Sequence, residues 1–202
     1  MTAGQFWVLN KYQIMLICDK PTIKIVYDFL NLRICNYFLK HNWAWQKSKG
    51  FDHDTQSSRD TAHRTSSTVY VYDNLNIDFV NYTKSKVASF FNVPSVNIEP
   101  LQVQKYAPGE FYKHHHDYFF TGAEAKNNRV KTVIIYLNNN FTGGDTRFHK
   151  LDLNIAPVTG AALFFQYDYD EATNLLTEHS GEPIIEGEKY IVTAWIRESK
   201  YR

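Results

Sequence analysis

The densest group of metal-binding side chains in the sequence is the segment YKHHHD at 112–117. Successive side chains of an extended strand point to opposite faces, so His115 and Asp117 share one face and His114 and His116 share the other. With one more histidine from a distant strand, the first pair would form a two-histidine, one-carboxylate triad, which suits Fe(II) in oxygen chemistry. By itself the His-x-Asp pattern is a weak signal, because clustered histidines are more often surface features.

The third ligand of such a triad has to come from another segment. The remaining histidines are His41, His53, His63, His149 and His179. His179 stands out because it lies in an extended polar segment that enters a turn. The residue pattern alone does not settle the choice among them.

The last predicted strand, 189–197, places Lys189, Ile191, Thr193 and Trp195 on one face. Trp195 is too large to leave in water cheaply, which indicates that this face points into the interior. An inward ammonium group at Lys189 would need an anion, such as the carboxylate of a ligand beside the metal. The alternative is that Lys189 is a solvated residue of the preceding turn.

The N-terminal half combines strand and helix patterns. Strands are predicted at 13–18 and 23–27, a first helix after the N-cap residue Asn31, and a second helix at 78–91. The polar segment 46–67 lacks an apolar pattern of its own, so it is interpreted as a mobile loop, either a lid over substrate or a plain excursion.

The C-terminal half is rich in strand patterns and turn signals. Short strands with no helix between them suggest an antiparallel sandwich or jelly roll. The predicted strands are 101–106, 130–137, 146–148, 161–165 and 189–197. The acidic, tyrosine-rich stretch 165–171 is interpreted as a solvated turn or as a contact for a basic substrate at the rim of the site.

Composition narrows the function classes. The chain has 202 residues, of which 44% are hydrophobic, enough for one packed domain. Lys plus Arg number 22 and Asp plus Glu 21, a balance that argues against a nucleic-acid partner. No apolar run is long enough for a membrane span or a secretory signal, and Cys18 and Cys35 are expected to be reduced thiols. We therefore expect a protein of the cytoplasm or another soluble intracellular compartment, without a membrane partner.

Beyond these patterns, most of the chain resembles the prolyl 4-hydroxylase branch of the 2-oxoglutarate/Fe(II)-dependent dioxygenases. The blocks that carry the resemblance, in order, are IVYDFL (25–30), RTSS (64–67), LQVQKYAPGEFYKHHHD (101–117), RVKTVIIYLN (129–138), GGDTRF (143–148), PVTGAALFF (157–165), HSGEP (179–183) and GEKY (187–190), with Trp195 after them. One such motif would be weak evidence, whereas these blocks in this order and spacing are specific.

The resemblance implies a fold class that is mainly β with flanking α. The expected core is a double-stranded β-helix, of the jelly-roll or cupin-like kind, at 101–202, with N-terminal helices packed on one of its sheets. Residues 1–100 would form a helical support region that includes the loop 46–67. The whole chain, 1–202, is expected to be a single catalytic domain.

Position by position, the resemblance implies His115, Asp117 and His179 as iron ligands. It implies that Lys189 pairs with the distal carboxylate of 2-oxoglutarate. Tyr106 falls on a position that often hydrogen-bonds this cosubstrate. His114 and His116 are expected to be structural or surface neighbours.

Three further residues receive roles from the same resemblance. Thr193, on the inward face of the last strand, is expected to assist in binding 2-oxoglutarate. Arg64 and Trp195 are expected to face the substrate groove.

The implied activity is 2-oxoglutarate- and O2-dependent hydroxylation of a prolyl residue in a peptide or protein, at C4. A ferryl intermediate would carry the oxidation, with succinate and CO2 as coproducts, and L-ascorbate is compatible as an additional reductant. The alternatives are the same chemistry on a free amino acid or another small molecule, or a non-catalytic cupin-like binding module. A monomer or homodimer is expected.

Overall fold

The computed structural model describes residues 6–9, 12–52, 57–59, 63–75, 77–168 and 170–201. Its strands are β1 Phe6–Leu9, β2 Tyr12–Cys18, β3 Ile23–Val26, β4 Gln46–Lys47, β5 Gly50–Asp52, β6 Ser57–Arg59, β7 Ser67–Val71, β8 Leu101–Tyr106, β9 Tyr112–His115, β10 Arg129–Tyr136, β11 Thr142–Gly143, β12 Thr146–Phe148, β13 Leu153–Ile155, β14 Ala162–Gln166, β15 His179–Gly181, β16 Ile184–Glu186 and β17 Lys189–Arg197. The α-helices are α1 Leu32–Lys40, α2 Asp78–Phe91 and α3 Glu171–Leu175, and short 3-10 helices cover Asp73–Leu75, Ser95–Asn97, Glu124–Asn127 and His149–Leu151.

Two antiparallel sheets form the framework. The large sheet has nine strands in the order β1-β2-β3-β14-β10-β17-β8-β7-β4, and the small sheet has the order β13-β12-β15-β9. Strands β8, β17, β10 and β14 of the large sheet alternate along the chain with those of the small sheet. This arrangement confirms the predicted double-stranded β-helix at 101–202.

Each central strand of the large sheet is buried on both faces, and the two faces pack into different layers. On β10, Val133 and Ile135 belong to the core shared with the helices, whereas Ile134 and Tyr136 belong to the core that includes Phe148 of the small sheet. Strand β10 was predicted as a buried central strand, and its continuous run of β-branched residues is the reason.

The two long helices cover one face of the large sheet, as predicted. Helix α1 starts where expected because the side chain of Asn31 accepts a hydrogen bond from the backbone N–H of Ile34 at 3.0 Å. Helix α2 ends at Asn92, which takes a left-handed backbone conformation with φ of 51°. Phe38 and Val87, both fully buried, bring the helices into the core of the sheet.

The N-terminal half contains more β-structure than the helical support region expected from the sequence. Strands β1, β2 and β3 extend the large sheet beyond β14, and β7 and β4 extend it beyond β8. Both edges of the jelly-roll portion of this sheet are thereby paired, which removes exposed hydrogen-bonding edges.

The polar segment 46–67 was interpreted as a mobile loop, but part of it forms short strands. Strand β4 pairs with β7, and β5 pairs with β6. The sequence of this segment has no alternation of apolar and polar residues, so it gave no signal for these strands. His53 lies outside the described residues, and the role of the segment as a lid stays a prediction.

Two further expectations can be compared with the structure. Cys18 and Cys35 are both free thiols. Among the described residues, each helix is too short or too polar to cross a lipid bilayer.

A buried ionic cluster ties together the ends of three strands. Glu99, just before β8, accepts hydrogen bonds from Nε of Arg129 at 2.8 Å and from Nε of Arg197 at 2.6 Å. Arg197 also donates to Glu124 at 2.7 Å. Glu99 and Arg197 are at least 94% buried, so each charge depends on its partner for the interactions that water would otherwise supply.

Replacing the shared carboxylate should therefore destabilise the fold. We expect Glu99→Gln to lower the free energy of unfolding in urea by about 3 kcal/mol, because two buried guanidinium groups lose their common anion. The matched control is Asp152→Asn, which neutralises the exposed partner of Arg147 (3.6 Å) and should change stability little. Equal effects of the two substitutions would contradict the role assigned to Glu99.

Candidate active site

The pairing of two short strands brings the predicted metal ligands together. Strand β15 pairs with β9 so that His179 lies opposite His115. Asp117 follows two residues after His115, and its carboxylate oxygens lie 3.6 Å from Nε2 of His115 and 3.9 Å from Nε2 of His179. The donor atoms of the three residues all lie within 4.8 Å of one another. Among the described residues, this is the group whose geometry could hold a metal ion.

The orientation of both imidazoles fits metal binding. Nδ1 of His115 lies 2.8 Å from the carbonyl oxygen of Lys113, and Nδ1 of His179 lies 3.0 Å from that of Thr177. A carbonyl oxygen only accepts hydrogen bonds, so each Nδ1 carries the proton and each Nε2 presents a lone pair. Both lone pairs face the Asp117 carboxylate, which is the arrangement that an N,N,O-coordinated Fe(II) requires.

Asp117 is held from two sides. The hydroxyl of Thr132 donates to its Oδ2 at 2.9 Å, and Arg129 donates to its backbone carbonyl at 3.3 Å. Burial would raise the pKa of Asp117, but His179, His115 and Arg129 outweigh burial and lower it below its usual range. The carboxyl group is therefore ionised and ready to act as a ligand.

The state of His115 agrees with that role. Burial, assisted by the neighbouring His179, lowers the pKa of His115 well below its usual value. A neutral imidazole is the form that binds a metal ion. The ring also stacks on Tyr112, with centroids 3.6 Å apart and planes inclined by 15°.

The other histidines lie away from this group where the structure describes them. His114 is exposed and its Nδ1 lies 3.3 Å from Nε2 of His149, while His116 lies 3.8 Å from Glu178. His41 packs against aromatic rings of the helical layer. The expectation that the neighbours of His115 face away from the triad is therefore consistent with the geometry.

Lys189 lies in the same pocket, at the start of β17. Its side chain is 97% buried, and its Nζ donates to the carbonyl oxygen of Gly144 at 2.5 Å. The aromatic rings of Tyr106 and Tyr136 lie 5.6 Å and 5.7 Å from Nζ. Burial lowers the pKa of Lys189 to about 8, against opposing effects of Asp145 and Glu182. The alternative of a solvated turn residue is thereby excluded.

The residues predicted for the substrate side also lie in this pocket. Arg64 is 96% buried, donates to Gln102 at 3.1 Å, and lies over the ring of Tyr112 at 4.7 Å. Trp195 is 93% buried, and the guanidinium of Arg129 stacks on its ring at 3.9 Å. Each predicted site residue therefore faces one shared pocket, which is lined by Arg64, Gln104, Tyr106, Tyr112, His115, Asp117, His179, Lys189, Thr193, Trp195 and a few apolar or small neighbours.

Several residues of the site were missed at the sequence level. Tyr112, Gln104, Arg129 and Thr132 contact the predicted residues directly, and only the alternation along their strands could have indicated their inward orientation. In the stretch 165–171, Asp168, Asp170 and Glu171 are exposed, as a solvated turn would be, but the first part of the stretch is buried.

In that stretch Phe165 and Tyr167 are buried, and Tyr167 contacts Thr132 at 3.1 Å between hydroxyl oxygens. Asp170 caps α3, with Tyr169 outside the described residues. The stretch is thus part of the wall behind Asp117 and the start of a helix.

Comparison with known proteins agrees with this geometry. The family model of the 2OG-Fe(II) oxygenase superfamily matches residues 101–197. A protein of Acanthamoeba polyphaga mimivirus assigned as a prolyl 4-hydroxylase is 35% identical over 165 residues, covering 76% of this chain and 66% of its own length. Prolyl 4-hydroxylase 1 of Arabidopsis thaliana is 29% identical, covering 88% and 69%. The chain thus spans about two thirds of the length of these relatives.

Solved structures show the same fold. The viral collagen prolyl hydroxylase of Paramecium bursaria Chlorella virus-1, in its complex with 2-oxoglutarate, superposes with a TM-score of 0.69 at 25% identity, over 91% of this chain and 99% of that one. A Trichoplax adhaerens prolyl hydroxylase shares the fold with a TM-score of 0.67 at 18% identity, over 89% and 85%. The cofactors of this family, Fe(II) and 2-oxoglutarate, suit the donor set and the buried cation described above. The chain therefore belongs to the 2OG-Fe(II) oxygenase superfamily, as a 2-oxoglutarate- and Fe(II)-dependent dioxygenase of the prolyl 4-hydroxylase type.

Proposed function

We propose that the protein hydroxylates prolyl residues within a peptide or protein, at C4, and that 1–202 acts as one catalytic domain. The observation that carries this proposal is the convergence of His115, Asp117 and His179 in one pocket with the buried cation of Lys189. The prolyl hydroxylases among its relatives support the choice of substrate. The large sheet supports a single domain, because it combines strands from both halves of the chain.

In this proposal, His115, Asp117 and His179 hold Fe(II), with the two Nε2 atoms and one carboxylate oxygen as donors. When bound, Fe(II) and 2-oxoglutarate would supply the oxidation by O2: one oxygen atom converts a C–H bond into C–OH, and the other enters 2-oxoglutarate as it loses CO2 and becomes succinate. The protein keeps the donors in place through hydrogen bonds to both imidazole Nδ1 atoms and to the carboxylate. The ligand set acts as a holder, and none of its members is required as a general base.

Lys189 binds the distal carboxylate of 2-oxoglutarate. Its ammonium is buried among aromatic rings and a backbone carbonyl, so a dianion entering the pocket would find a charge that water does not screen. Asp145 and Glu182 raise the pKa of Lys189, but less than burial lowers it. The charge of Lys189 is thus left for a ligand to neutralise.

The substrate side supplies an aromatic surface and a cation. Trp195 presents a ring suited to a pyrrolidine, and Arg64 presents donors suited to the carbonyl oxygens of a peptide chain. The Chlorella virus relative is named as a collagen prolyl hydroxylase, and collagen is a proline-rich protein. A proline-rich peptide is therefore the substrate class that we propose.

The first test is the substrate itself. We expect a mass gain of one oxygen on prolyl residues when the Fe(II)-loaded protein is incubated with 2-oxoglutarate and proline-rich peptides, and 4-hydroxyproline after hydrolysis. Free proline at the same concentration is the control. Oxidation of free proline in preference to every peptide would favour the small-molecule alternative, and binding of both cofactors without turnover would favour a binding module.

The second test addresses the ligand set. His115→Ala and His179→Ala should each abolish peptide-dependent succinate formation, because two remaining donors do not hold the metal in the required geometry. His114→Ala removes the neighbouring imidazole on the outer face of the same strand and should leave turnover near the wild-type level. Succinate formation that persists in either ligand variant would refute the assignment.

The third test uses the pKa of Lys189, about 8 in the unliganded protein. Only the protonated amine pairs with the carboxylate, so the Kd for 2-oxoglutarate should level off at its lowest value as pH falls below 8, over the range in which Fe(II) stays bound. As pH rises above 8 the amine loses its proton, and the Kd should increase about tenfold per pH unit. Lys189→Arg keeps its charge over this range and should show a flat profile. Parallel profiles of wild type and variant would count against ion pairing at this position.

A further inference from the structure

Two glutamine side chains lie inside the β-helix, next to the residues of the cosubstrate site. Gln102, Gln104 and Tyr106 alternate along β8 and therefore share its inner face. Their exposed fractions are 0%, 3% and 4%. A buried amide is costly unless its polar atoms are hydrogen-bonded, so the partners of these two amides are informative.

The two amides join the substrate end of the pocket to the cosubstrate end. Nη2 of Arg64 donates to Oε1 of Gln102 at 3.1 Å, and Nε2 of Gln104 donates to the same oxygen at 2.9 Å. Nε2 of Gln104 also donates to the hydroxyl oxygen of Thr193 at 2.7 Å, and its Oε1 accepts from the hydroxyl of Tyr106 at 2.9 Å.

Arginine fixes the direction of every hydrogen bond in this chain. A guanidinium group has donors and no acceptor, so Gln102 has to present its oxygen to Arg64. That oxygen then requires the NH2 group of Gln104, which turns the oxygen of Gln104 toward Tyr106. Because this oxygen only accepts, the proton of Tyr106 points to Gln104. The hydroxyl of Thr193 accepts from Gln104, so its own proton is directed elsewhere.

The surroundings of Tyr106 agree with this polarity. Burial raises the pKa of Tyr106, while Arg64 and Ser66 oppose the rise, as donors close to the phenol oxygen do. The single proton of Tyr106 is used in its hydrogen bond to Gln104. If the two amide groups were turned the other way, the NH2 group of Gln102 would face Arg64, and two donors would lie together without an acceptor.

We propose that Gln102 and Gln104 are positioning residues through which Arg64 sets the hydrogen-bond polarity of the pocket, so that Thr193, and not Tyr106, is the hydroxyl donor available to a carboxylate oxygen of 2-oxoglutarate. This inference rests on the proposed function, because it assigns roles in binding its cosubstrate. The resemblance to the family had given Tyr106 the position that often hydrogen-bonds the cosubstrate and Thr193 an assisting role. The present inference makes Thr193 the donor instead of Tyr106.

The test is the Kd of 2-oxoglutarate for the Fe(II)-loaded protein, measured by anaerobic calorimetry, so that no turnover is needed. We expect Thr193→Val to raise the Kd about tenfold and Tyr106→Phe to raise it less than about threefold. In a Gln104→Leu background the Tyr106 proton is released, so Tyr106→Phe should there raise the Kd clearly more than it does in the wild type. A merely structural glutamine would not make the cost of Tyr106→Phe depend on residue 104.

Gln102→Leu is the substitute background if Gln104→Leu does not fold. It removes the oxygen that links Arg64 to Gln104, so Tyr106→Phe should again raise the Kd more than it does in the wild type. The matched control is Gln166→Leu, because Gln166 is a half-buried glutamine on β14 that contacts Thr22. In this background the increases in Kd caused by Thr193→Val and by Tyr106→Phe should be the same as in the wild type. A cost of Tyr106→Phe equal to that of Thr193→Val in the wild type would overturn the inference. A wild-type protein that binds no 2-oxoglutarate would instead overturn the proposed function.

Discussion

The pairing of β9 with β15 is the constraint on which the site depends. It places His115 opposite His179, although 64 positions separate them in the sequence. A slip by one residue would turn His179 to the outer face and bring Ser180 inward, because side chains alternate along a strand. Strand β12 pairs with the other edge of β15, with Phe148 opposite His179, so β15 is held on both sides. The metal donors are thus positioned by backbone hydrogen bonds, before any ion contributes.

Charge compensation is the second constraint, because this pocket buries more ionisable groups than a structural core would. The charge of Asp117 is compensated by Arg129 and by the hydrogen bond that Thr132 donates, and Arg129 is itself balanced by Glu99. Lys189 differs from them, since burial lowers its pKa and its Nζ donates a hydrogen bond to a neutral backbone carbonyl. A protein rarely keeps a lysine in such a place without an anionic ligand. The pocket therefore has a charge-compensated end at Asp117 and a cationic end at Lys189 that is suited to a dicarboxylate.

The sequence was most informative where one face of an element differs from the other. Asn31 and the apolar spacing after it predicted α1 correctly, and alternation placed His115 and Asp117 on one face. It was least informative where both faces are buried. Gln102 and Gln104 alternate with apolar residues, a pattern typical of a strand with one solvated face, yet here the polar face lines the pocket. Similarly, β15 has only three residues, too few for any period, so the choice of His179 required the resemblance to a family.

The two faces of the large sheet pack into different cores, and this explains how the polar side chains of the pocket keep their positions. On β17, Val192, Ala194 and Ile196 pack into the apolar layer beneath the helices, while Lys189 and Thr193 face the pocket. The free energy of folding comes mainly from the apolar layer, because burial of nonpolar surface is the dominant favourable contribution. The same strands can then carry amides, hydroxyls and charges on their other face, whose net contribution to stability is small. Packing on one face thus allows the opposite face to be selected for chemistry. The fixed donor direction of Arg64 can extend across four side chains because β8 pairs with β7 and β17, and β17 pairs in turn with β10.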